Sequence, residues 1–267
     1  MDKKFPSPGP YDFKTSTLDD VHFPHAMSGN AWDWPASFEN NPHHHNCGQL
    51  VFASNGIMDV MTEAGTWVVP PQRAVWMPPG RPHVIKANTL LAFRTVYIEA
   101  DLASGISHDC FVLHVTPLLR ELVLEIVRLS AGGAWGKREE SIASLIGEEV
   151  VQASRNPSAV HLPMPKDSRV QPIVRALLAD PADARSREDW AGLVGASGRT
   201  IDRVFAAQCG MSFRAWRRQA ILLEALRRLA DGQSVSTVAF DLGYDSVSSF
   251  IAMFKKSLGV TPARMFG

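Results

Sequence analysis

Three consecutive histidines, His43 to His45, and a later one, His83, are the residues of this chain best suited to metal chemistry. In an extended segment His43 and His45 share one side and His44 faces the other, because successive side chains of a strand alternate. Gln49 follows His45 by four residues, and His83 ends the turn-forming run MPPGRPH. Imidazole nitrogens bind zinc and related ions, whereas a neutral amide oxygen is a weaker ligand. The pattern predicts a divalent metal site at His43, His45, Gln49 and His83; a solvated strand end and a simple turn cap are the alternatives.

A second chemical feature is a pair of arginines, Arg199 and Arg203, in the run ASGRTIDRVFAAQ. A guanidinium group can donate two hydrogen bonds to O6 and N7 of guanine, so two arginines one turn apart on an exposed helix suit a DNA major groove. A solvated helix face is the alternative. The face opposite the arginines is predicted to point inward and contains Ile201, Val204, Phe205 and Gln208.

The helical pattern around these arginines occurs twice. One copy, WAGLVGASGRTIDRVFAAQCGMSF, begins at Trp190, and the other, VAFDLGYDSVSSFIAMFKKSLGVTP, begins at Val238. In each copy an apolar helix ends at a glycine, Gly195 or Gly243, and a short turn leads into a second helix. One continuous helix over 213–230 joins the copies and has a length of ~27 Å, close to the ~34 Å between successive major grooves. We therefore predict two helix-turn-helix motifs that dock together on double-stranded DNA.

Residues 186 to 266 closely resemble the AraC/XylS transcription regulators. The resemblance rests on DRVF…GMSF, on WRRQ…LLEAL in the joining helix, and on the run VAFDLGYDSVSSFIAMFKKSLGVTP. It implies base contacts from the first recognition helix at Arg199, Thr200, Asp202 and Arg203, and from the second at Val247, Ser248, Ser249 and Ala252. Lys255 and Lys256 are expected to attract phosphates. The joining helix departs from the family at Ile221, where a basic residue is usual.

Short apolar runs between Gly48 and Ile98 alternate with turn signals and predict a small antiparallel β-barrel or sandwich. Asn55-Gly56 predicts a hairpin, because both residues tolerate positive φ.

Residues 1 to about 40 lack periodicity and are interpreted as an arm that moves. The segments PHHHNCGQL and MPPGRPHVIKAN resemble the two halves of the cupin motif, with Gln49 in place of the usual acid. Aromatic residues that could line a ligand site in the barrel are Trp32, Trp34, Trp67, Trp76, Phe93 and Tyr97.

Two amphipathic helices follow the barrel, with the apolar positions Leu119, Leu122, Ile126 and Leu129 in one and Ile142, Leu145, Ile146 and Val150 in the other. They either cap the barrel or form a dimer interface. Three prolines in NPSAVHLPMPKDS predict a linker. The expected organisation is an arm and cupin-like barrel at 1–112, a helical pair at 113–155, a linker at 156–168 and a DNA-binding domain at 169–267.

The net charge of the 267 residues is zero, but residues 169–267 carry 14 Lys and Arg against 9 Asp and Glu. DNA contact is therefore expected from the C-terminal part alone.

Three widely spaced cysteines argue against a disulfide framework or a thiolate zinc site. The chain has no apolar run long enough to span a membrane and no apolar core of a signal peptide, so we expect a cytoplasmic protein.

The predicted fold class is α+β multidomain: a cupin-like antiparallel β-barrel with a helical pair, then an all-α module with two helix-turn-helix motifs. The predicted function is sequence-specific DNA-binding transcription regulation, with the barrel sensing a small-molecule effector. Expected partners are DNA, the effector, a second copy of the chain and, for an activator, RNA polymerase, with no required cofactor and no catalytic residues. The alternatives are a cupin-type metalloenzyme fused to a helical interaction module, and a ligand-independent DNA-binding protein.

Overall fold

A computed structural model describes residues 16–19, 25–131, 135–155 and 160–266. The chain divides into an N-terminal unit, which contains Asp12–Glu63 and Trp67–Ala159, and a C-terminal unit, which contains Val160–Gly267 and the short segment Ala64–Thr66. Most of the predicted arm, 1–15 and 20–24, lies outside the described residues, as do residues 156–159 of the predicted linker. Within the described part of the chain, no helix is both long enough and apolar enough to cross a membrane.

The N-terminal unit is built from antiparallel sheets, as predicted. Its strands are β1 (Thr17–Leu18), β2 (Met27–Trp34), β3 (His43–His44), β4 (Gly48–Asn55), β5 (Met58–Thr62), β6 (Gly65–Val69), β7 (Arg73–Met77), β8 (Val84–Ala87), β9 (Leu91–Ile98) and β10 (Phe111–His114). One sheet has the order β10-β7-β4-β9-β2, and another contains the neighbours β6-β5-β8. A short parallel pairing of β1 with β3 sets Thr17 opposite His43.

Two local predictions for this unit are wrong. Asn55-Gly56 does not close a hairpin, because β4 pairs with β7 and β9 while β5 pairs with β8, so the turn passes the chain from one sheet to the other. Gly56 has φ of 87°, which explains why the turn signal is present without a hairpin. The predicted arm also extends too far, since β2 pairs with β9 at eight positions and is part of the five-stranded sheet.

Helices α1 (Ala100–Ala103), α2 (Pro117–Ser130) and α3 (Lys137–Ser154) complete the N-terminal unit. The Thr116 hydroxyl accepts a hydrogen bond from the Leu119 amide and caps α2. Both long helices pack on the five-stranded sheet in one core, to which α2 contributes Leu119, Val123 and Ile126, and α3 contributes Ile142, Ala143, Ile146 and Val150. Leu145 was expected on this buried face but is 42% exposed, because the face rotates towards Ala143. The helical pair therefore covers the sheet, which was one of its two predicted uses.

The C-terminal unit contains a short strand and seven helices within the described residues: β11 (His161–Pro163), α4 (Gln171–Ala179), α5 (Arg187–Leu193), α6 (Gly198–Cys209), α7 (Phe213–Ala230), α8 (Val235–Asp241), α9 (Val247–Leu258) and α10 (Pro262–Phe266). The predicted continuous helix over 213–230 is confirmed as α7. The predicted linker is only partly a connector, since Val160 and Leu162 are buried and the Pro163 carbonyl accepts a hydrogen bond from the Trp216 indole at 2.7 Å.

Serine caps and left-handed glycines define both helix-turn-helix motifs. Ser186 and Asp189 form the expected capping box of α5, and Ser197 caps α6. Gly195 and Gly243 adopt φ of 61° and 81° in the two turns, a region that favours glycine. Two inward positions are wrong. Leu193 is 58% exposed at the end of α5, and Gln208 is exposed while its side-chain oxygen accepts hydrogen bonds from the amides of residues 166 and 167.

We expect Gly29→Ala to destabilise the N-terminal unit by about 1–3 kcal/mol, because a β-carbon there would lie 2.6 Å from the backbone Cα of Val127 in α2. Urea unfolding followed by circular dichroism measures the effect. Gly147→Ala is the matched control: a β-carbon at this helical position meets only a Met27 methyl group at 4.0 Å and should be neutral or stabilising. Equal stability of the two variants would contradict the tight packing of α2 on β2.

Candidate functional sites

The structure brings His43, His45 and His83 together. One ring nitrogen of each lies within 4.8 Å of those of the other two. The cluster forms because β3 meets the turn before β8, where the amide and carbonyl groups of His43 exchange hydrogen bonds with those of His83 at 3.1 and 2.8 Å. His43 is half-buried, whereas His45 and His83 are buried. His44 is directed away from the cluster, and its Nδ1 lies 3.0 Å from the Ser16 hydroxyl, as alternation along the strand requires.

Backbone carbonyls fix the tautomer of all three clustered histidines. Nδ1 of His43 lies 2.9 Å from the Asn41 carbonyl, Nδ1 of His45 lies 3.0 Å from the Asp19 carbonyl, and Nδ1 of His83 lies 2.9 Å from the Arg81 carbonyl. A carbonyl oxygen only accepts hydrogen bonds, so each Nδ1 carries the proton of the neutral ring. The lone pair of each ring is then on Nε2, which is the arrangement found in metal-binding histidines.

Burial lowers the pKa of two of the clustered histidines, His45 and His83. Desolvation, followed by repulsion from the neighbouring histidines, lowers the pKa of His83 to about 3. Desolvation also lowers the pKa of His45, and repulsion from His43 adds to this. Nε2 of His45, Nε2 of His83 and Oε1 of Gln49 are buried without a hydrogen-bond partner. Three unsatisfied acceptors in one region are costly unless a bound group uses them.

A small cavity of about 210 Å³ adjoins this cluster. Its lining residues are Asp19, Trp32, Trp34, Asn40, His43, Gln49, Ile85, Phe93 and Tyr97. The rings of Trp34 and Phe93 stack with centroids 4.2 Å apart and form one wall. Burial, followed by the charge of Asp19, raises the pKa of the Tyr97 hydroxyl, so it stays protonated.

Two of the predicted ligand-lining aromatics lie elsewhere. Trp76 packs in the core between the five-stranded sheet and the helices, and its indole donates a hydrogen bond to the Ser107 carbonyl at 3.0 Å. It points there because Ala74 and Trp76 of β7 share the helix-facing side. The sequence alone does not define this side, because β7 is apolar without alternation from Ala74 to Met77. Trp67 is buried in β6 and is not among the residues that line the cavity.

A larger cavity of about 780 Å³ lies between α3 and the end of the five-stranded sheet. Its apolar lining includes Met27, Ile98, Leu102, Ile106, Trp135 and Ala143, and its polar lining includes Glu140, Ser144, Glu148, Gln152 and Arg155. Sequence reasoning missed this site because its walls come from four separate segments, each of which resembles an ordinary core face. A cavity of this size accommodates a typical small-molecule ligand.

The first recognition helix, α6, presents its predicted reading face to solvent. Arg199 and Arg203 are exposed, and Thr200 and Asp202 are partly exposed, while Ile201, Val204 and Phe205 are buried. Asp202 accepts a hydrogen bond from Arg187 of the preceding helix at 2.5 Å. This ion pair leaves the two exposed arginines as the positive groups of the helix face.

The second recognition helix, α9, carries smaller side chains. Ser248, Ser249 and Ala252 are exposed and Val247 is half-buried. Lys255 and Lys256 are exposed in its last turn, and Phe250 and Phe254 are buried beneath. Ser246 caps the helix by accepting a hydrogen bond from the Ser249 amide at 3.2 Å.

A charged network, which sequence reasoning missed, connects α7 with α8 of the second motif. Glu224 and Arg227 are both buried and lie 3.5 Å apart, and Glu224 also accepts a hydrogen bond from Arg228 at 2.9 Å. Arg228 then reaches Asp241 at the end of α8 at 3.3 Å. The spacing of a glutamate three and four residues before two arginines signals the local pairs, but nothing local signals their burial. On the half-buried side of the same helix, Ile221 occupies the position where a basic residue is usual.

Two helix-turn-helix motifs joined by one helix, together with a β-barrel unit that contains cavities, define a DNA-binding protein with a sensor domain. Residues 31–188 match the model of the AraC-like ligand binding domain, and residues 190–266 match a helix-turn-helix domain model. The chain is 35% identical over 224 residues to the HTH-type transcriptional regulator NimR of Escherichia coli (strain K12), covering 83% of this chain and 80% of that protein. The chain belongs to the AraC/XylS family of transcription regulators.

Two further proteins are similar over a shorter span or at lower identity. The HTH-type transcriptional regulator RipA of Corynebacterium glutamicum is 31% identical over 145 residues, which cover 51% of this chain and 43% of that protein. The crystal structure of unsaturated fatty acid bound ToxT from Vibrio cholerae covers 90% of this chain and 95% of its own, with 12% identity and a TM-score of 0.40.

We expect Glu224→Ala to destabilise the C-terminal unit by about 3 kcal/mol, because the buried guanidinium of Arg227 loses the carboxylate beside it. Asp241→Ala removes only the half-exposed end of the same network and should cost less than about 1 kcal/mol. Urea unfolding of both variants provides the comparison. Similar losses of unfolding free energy in the two variants would show that the buried Glu224–Arg227 pair stabilises the unit no more than the exposed pair does.

Proposed function

We propose that the chain regulates transcription by inserting α6 and α9 into two successive major grooves of its operator. The observation that carries this proposal is the exposure of Arg199 and Arg203 on one face of a helix whose opposite face is buried. Helix α7 supports it, because 18 residues at ~1.5 Å each separate the motifs by ~27 Å, and modest bending of the DNA closes the difference from ~34 Å.

The two recognition helices contribute unequally. Arg199 and Arg203 of α6 can read guanine edges, while the serines and Ala252 of α9 fit thymine methyl groups or phosphates. Lys255 and Lys256 of α9 add attraction that does not depend on sequence. Specificity therefore lies mainly in α6, and α9 contributes affinity.

We expect Arg203→Ala to weaken binding to the cognate duplex by about 1–3 kcal/mol and to leave binding to a random duplex almost unchanged. The cognate duplex is obtained by selecting from a random library with the wild-type protein, and Kd is measured at fixed salt. Arg138→Ala, which removes an exposed arginine of α3 in the N-terminal unit, is the matched control and should bind both duplexes as wild type. Equal losses on both duplexes with Arg203→Ala would exclude base reading by this residue.

The effector is proposed to bind in the larger cavity beside α3, which modifies the expectation of a ligand inside the barrel. The cavity of about 780 Å³ combines apolar walls with carboxylates and an arginine, whereas about 210 Å³ in the barrel suits only a very small group. Since α3 forms one wall, an effector can bias the position of the helical pair. It does so only to the extent that it binds two arrangements with different affinity.

The helical pair is also the proposed dimer interface of a cytoplasmic homodimer. Leu118 of α2 and Leu145 of α3 are large apolar side chains that stay exposed in the N-terminal unit. A second copy would cover them, and RNA polymerase is a further partner if the protein activates transcription.

Sedimentation of Leu145→Glu, compared with that of the wild-type protein, tests the dimer interface. A change from dimer to monomer supports the interface, and an unchanged dimer places it elsewhere.

We expect Ser144→Trp to abolish stabilisation by any effector, because this α3 side chain lines the larger cavity and a tryptophan would fill it. Thermal unfolding of the wild-type protein with a panel of small metabolites identifies the effector through its rise in Tm. Ser141→Trp, an exposed position one turn earlier on α3 that does not line the cavity, should keep that rise. A rise retained by Ser144→Trp would exclude this cavity.

A further inference from the structure

We propose that His43, His45 and His83 bind one divalent transition-metal ion through their Nε2 atoms, with the side-chain oxygen of Gln49 as a further ligand. The proposal concerns the barrel alone and stands independently of DNA reading by the C-terminal unit.

The geometry of the rings is close to that of a ligand set. Their nearest nitrogens lie within 4.8 Å of one another, and nitrogens around a tetrahedral ion with bonds of about 2.0–2.1 Å would be about 3.4 Å apart. The nitrogens therefore need to approach by up to about 1.4 Å. Side-chain rotation can contribute to this approach, because His43 is only half-buried. The centroids of His43 and His83 are already 4.3 Å apart, and those of His43 and His45 are 4.9 Å apart.

The hydrogen bonds hold the rings in the state that metal binding requires. Each Nδ1–H donates to a backbone carbonyl, so each Nε2 offers a lone pair without losing a proton. Such carbonyl partners also set the ring orientation, which lowers the entropy lost on binding. Three separate carbonyls with the same role, from residues 19, 41 and 81, are difficult to explain as packing alone.

The unsatisfied acceptors indicate a cation. Nε2 of His45, Nε2 of His83 and Oε1 of Gln49 are buried without hydrogen bonds. Gln49 lies beside the cluster, because it is opposite Tyr97 in the β4–β9 register and the Tyr97 ring is 5.1 Å from the ring of His45. A water molecule has two hydrogens and can satisfy at most two of these three atoms. A metal ion can accept all three lone pairs together with that of His43.

The ligand types select the class of ion. Neutral imidazoles suit zinc, nickel, cobalt and copper ions, whereas magnesium and calcium prefer oxygen ligands. Because all four ligands are neutral, the ion keeps its full positive charge, and binding should be weaker than with a carboxylate at position 49. His43 and Gln49 also line the cavity of about 210 Å³, so a remaining coordination position would face that space.

The site would also stabilise the docking of strand β1. His45 reaches the Asp19 carbonyl through Nδ1, and the Asp19 amide donates to the His44 carbonyl at 2.8 Å. Metal binding at Nε2 polarises the ring and strengthens the bond from Nδ1 to Asp19. Occupancy of the site should therefore slow hydrogen exchange at the Asp19 amide.

The experiment is equilibrium dialysis of the full-length protein, prepared without a polyhistidine tag, against Zn²⁺ after removal of metals with a chelator. We expect one Zn²⁺ per chain by mass spectrometry, no comparable binding of Mg²⁺, and at least about 100-fold weaker Zn²⁺ affinity in His43→Ala/His83→Ala. His108→Ala, which removes an exposed histidine of the same unit, should bind as wild type. Substoichiometric Zn²⁺, or retained affinity in the double variant, would overturn the proposal.

Gln49→Glu provides a test that does not depend on the folding of the double variant. A carboxylate at the ion should tighten Zn²⁺ binding at least about tenfold, whereas a structural role for Gln49 predicts loss or no change. Unchanged or weaker affinity in this variant would exclude Gln49 from the ligand set and overturn the site as proposed. DNA binding of the wild-type protein is measured in parallel, so that failure of the metal site is distinguishable from failure of the DNA-binding function.

Discussion

The alternation of side chains along β4 and β9 is the constraint on which the N-terminal unit depends. Leu50 and Phe52 of β4, with Val96 and Ile98 of β9, pack in the core under α2 and α3. Gln49 precedes Leu50, Tyr97 lies between Val96 and Ile98, and both line the small cavity on the other side of the sheet. A shift of β4 by one residue would place Gln49 under the helices, and the same shift of β9 would place Tyr97 there. The helix-covered core therefore fixes the register that assembles the polar site.

In the C-terminal unit, ion pairs as well as apolar contacts hold the joining helix α7. Glu224 and Arg227 are buried in the C-terminal half of α7, where an apolar pair of similar volume would avoid the cost of desolvating two charges. Their extension through Arg228 to Asp241 ties α7 to α8 with directional bonds. Hydrophobic contacts tolerate sliding and rotation more readily than such bonds do. The proposed docking in two grooves requires a defined direction of the second motif relative to α7, and the half-exposed Arg228–Asp241 pair adds a modest directional contact to the packing of α7 on α8.

The features that could be predicted from the sequence are those encoded within a few residues. The helix-turn-helix elements follow from Ser186, Ser197 and the glycines of the turns, because caps and left-handed positions depend on local chemistry. The convergence of His43, His45 and His83 was predictable from alternation and from the cupin-like turn. The partner of β4, the side of the sheet that Trp76 faces, and the larger cavity beside α3 all depend on pairing between distant segments. Local patterns carry little information about such pairing, since β7 is apolar from Ala74 to Met77 and gives no alternation to read.

The two cavities of the N-terminal unit adjoin different elements, α3 and β1, which are held in place by contacts of different kinds. The larger cavity has one wall on α3, so a ligand there acts on the packing of a helix against the sheet. The histidine cluster instead contacts the segment of β1 through a few hydrogen bonds: His45 bonds to the Asp19 carbonyl, the Asp19 amide donates to the His44 carbonyl, and the Thr17 amide donates to the Pro42 carbonyl. Breaking the packing of a long amphipathic helix costs far more than releasing a two-residue strand. The ion proposed at the histidines would therefore act on the weakly held β1, whereas the effector proposed in the larger cavity would need a large apolar contact area to act on the packing of α3.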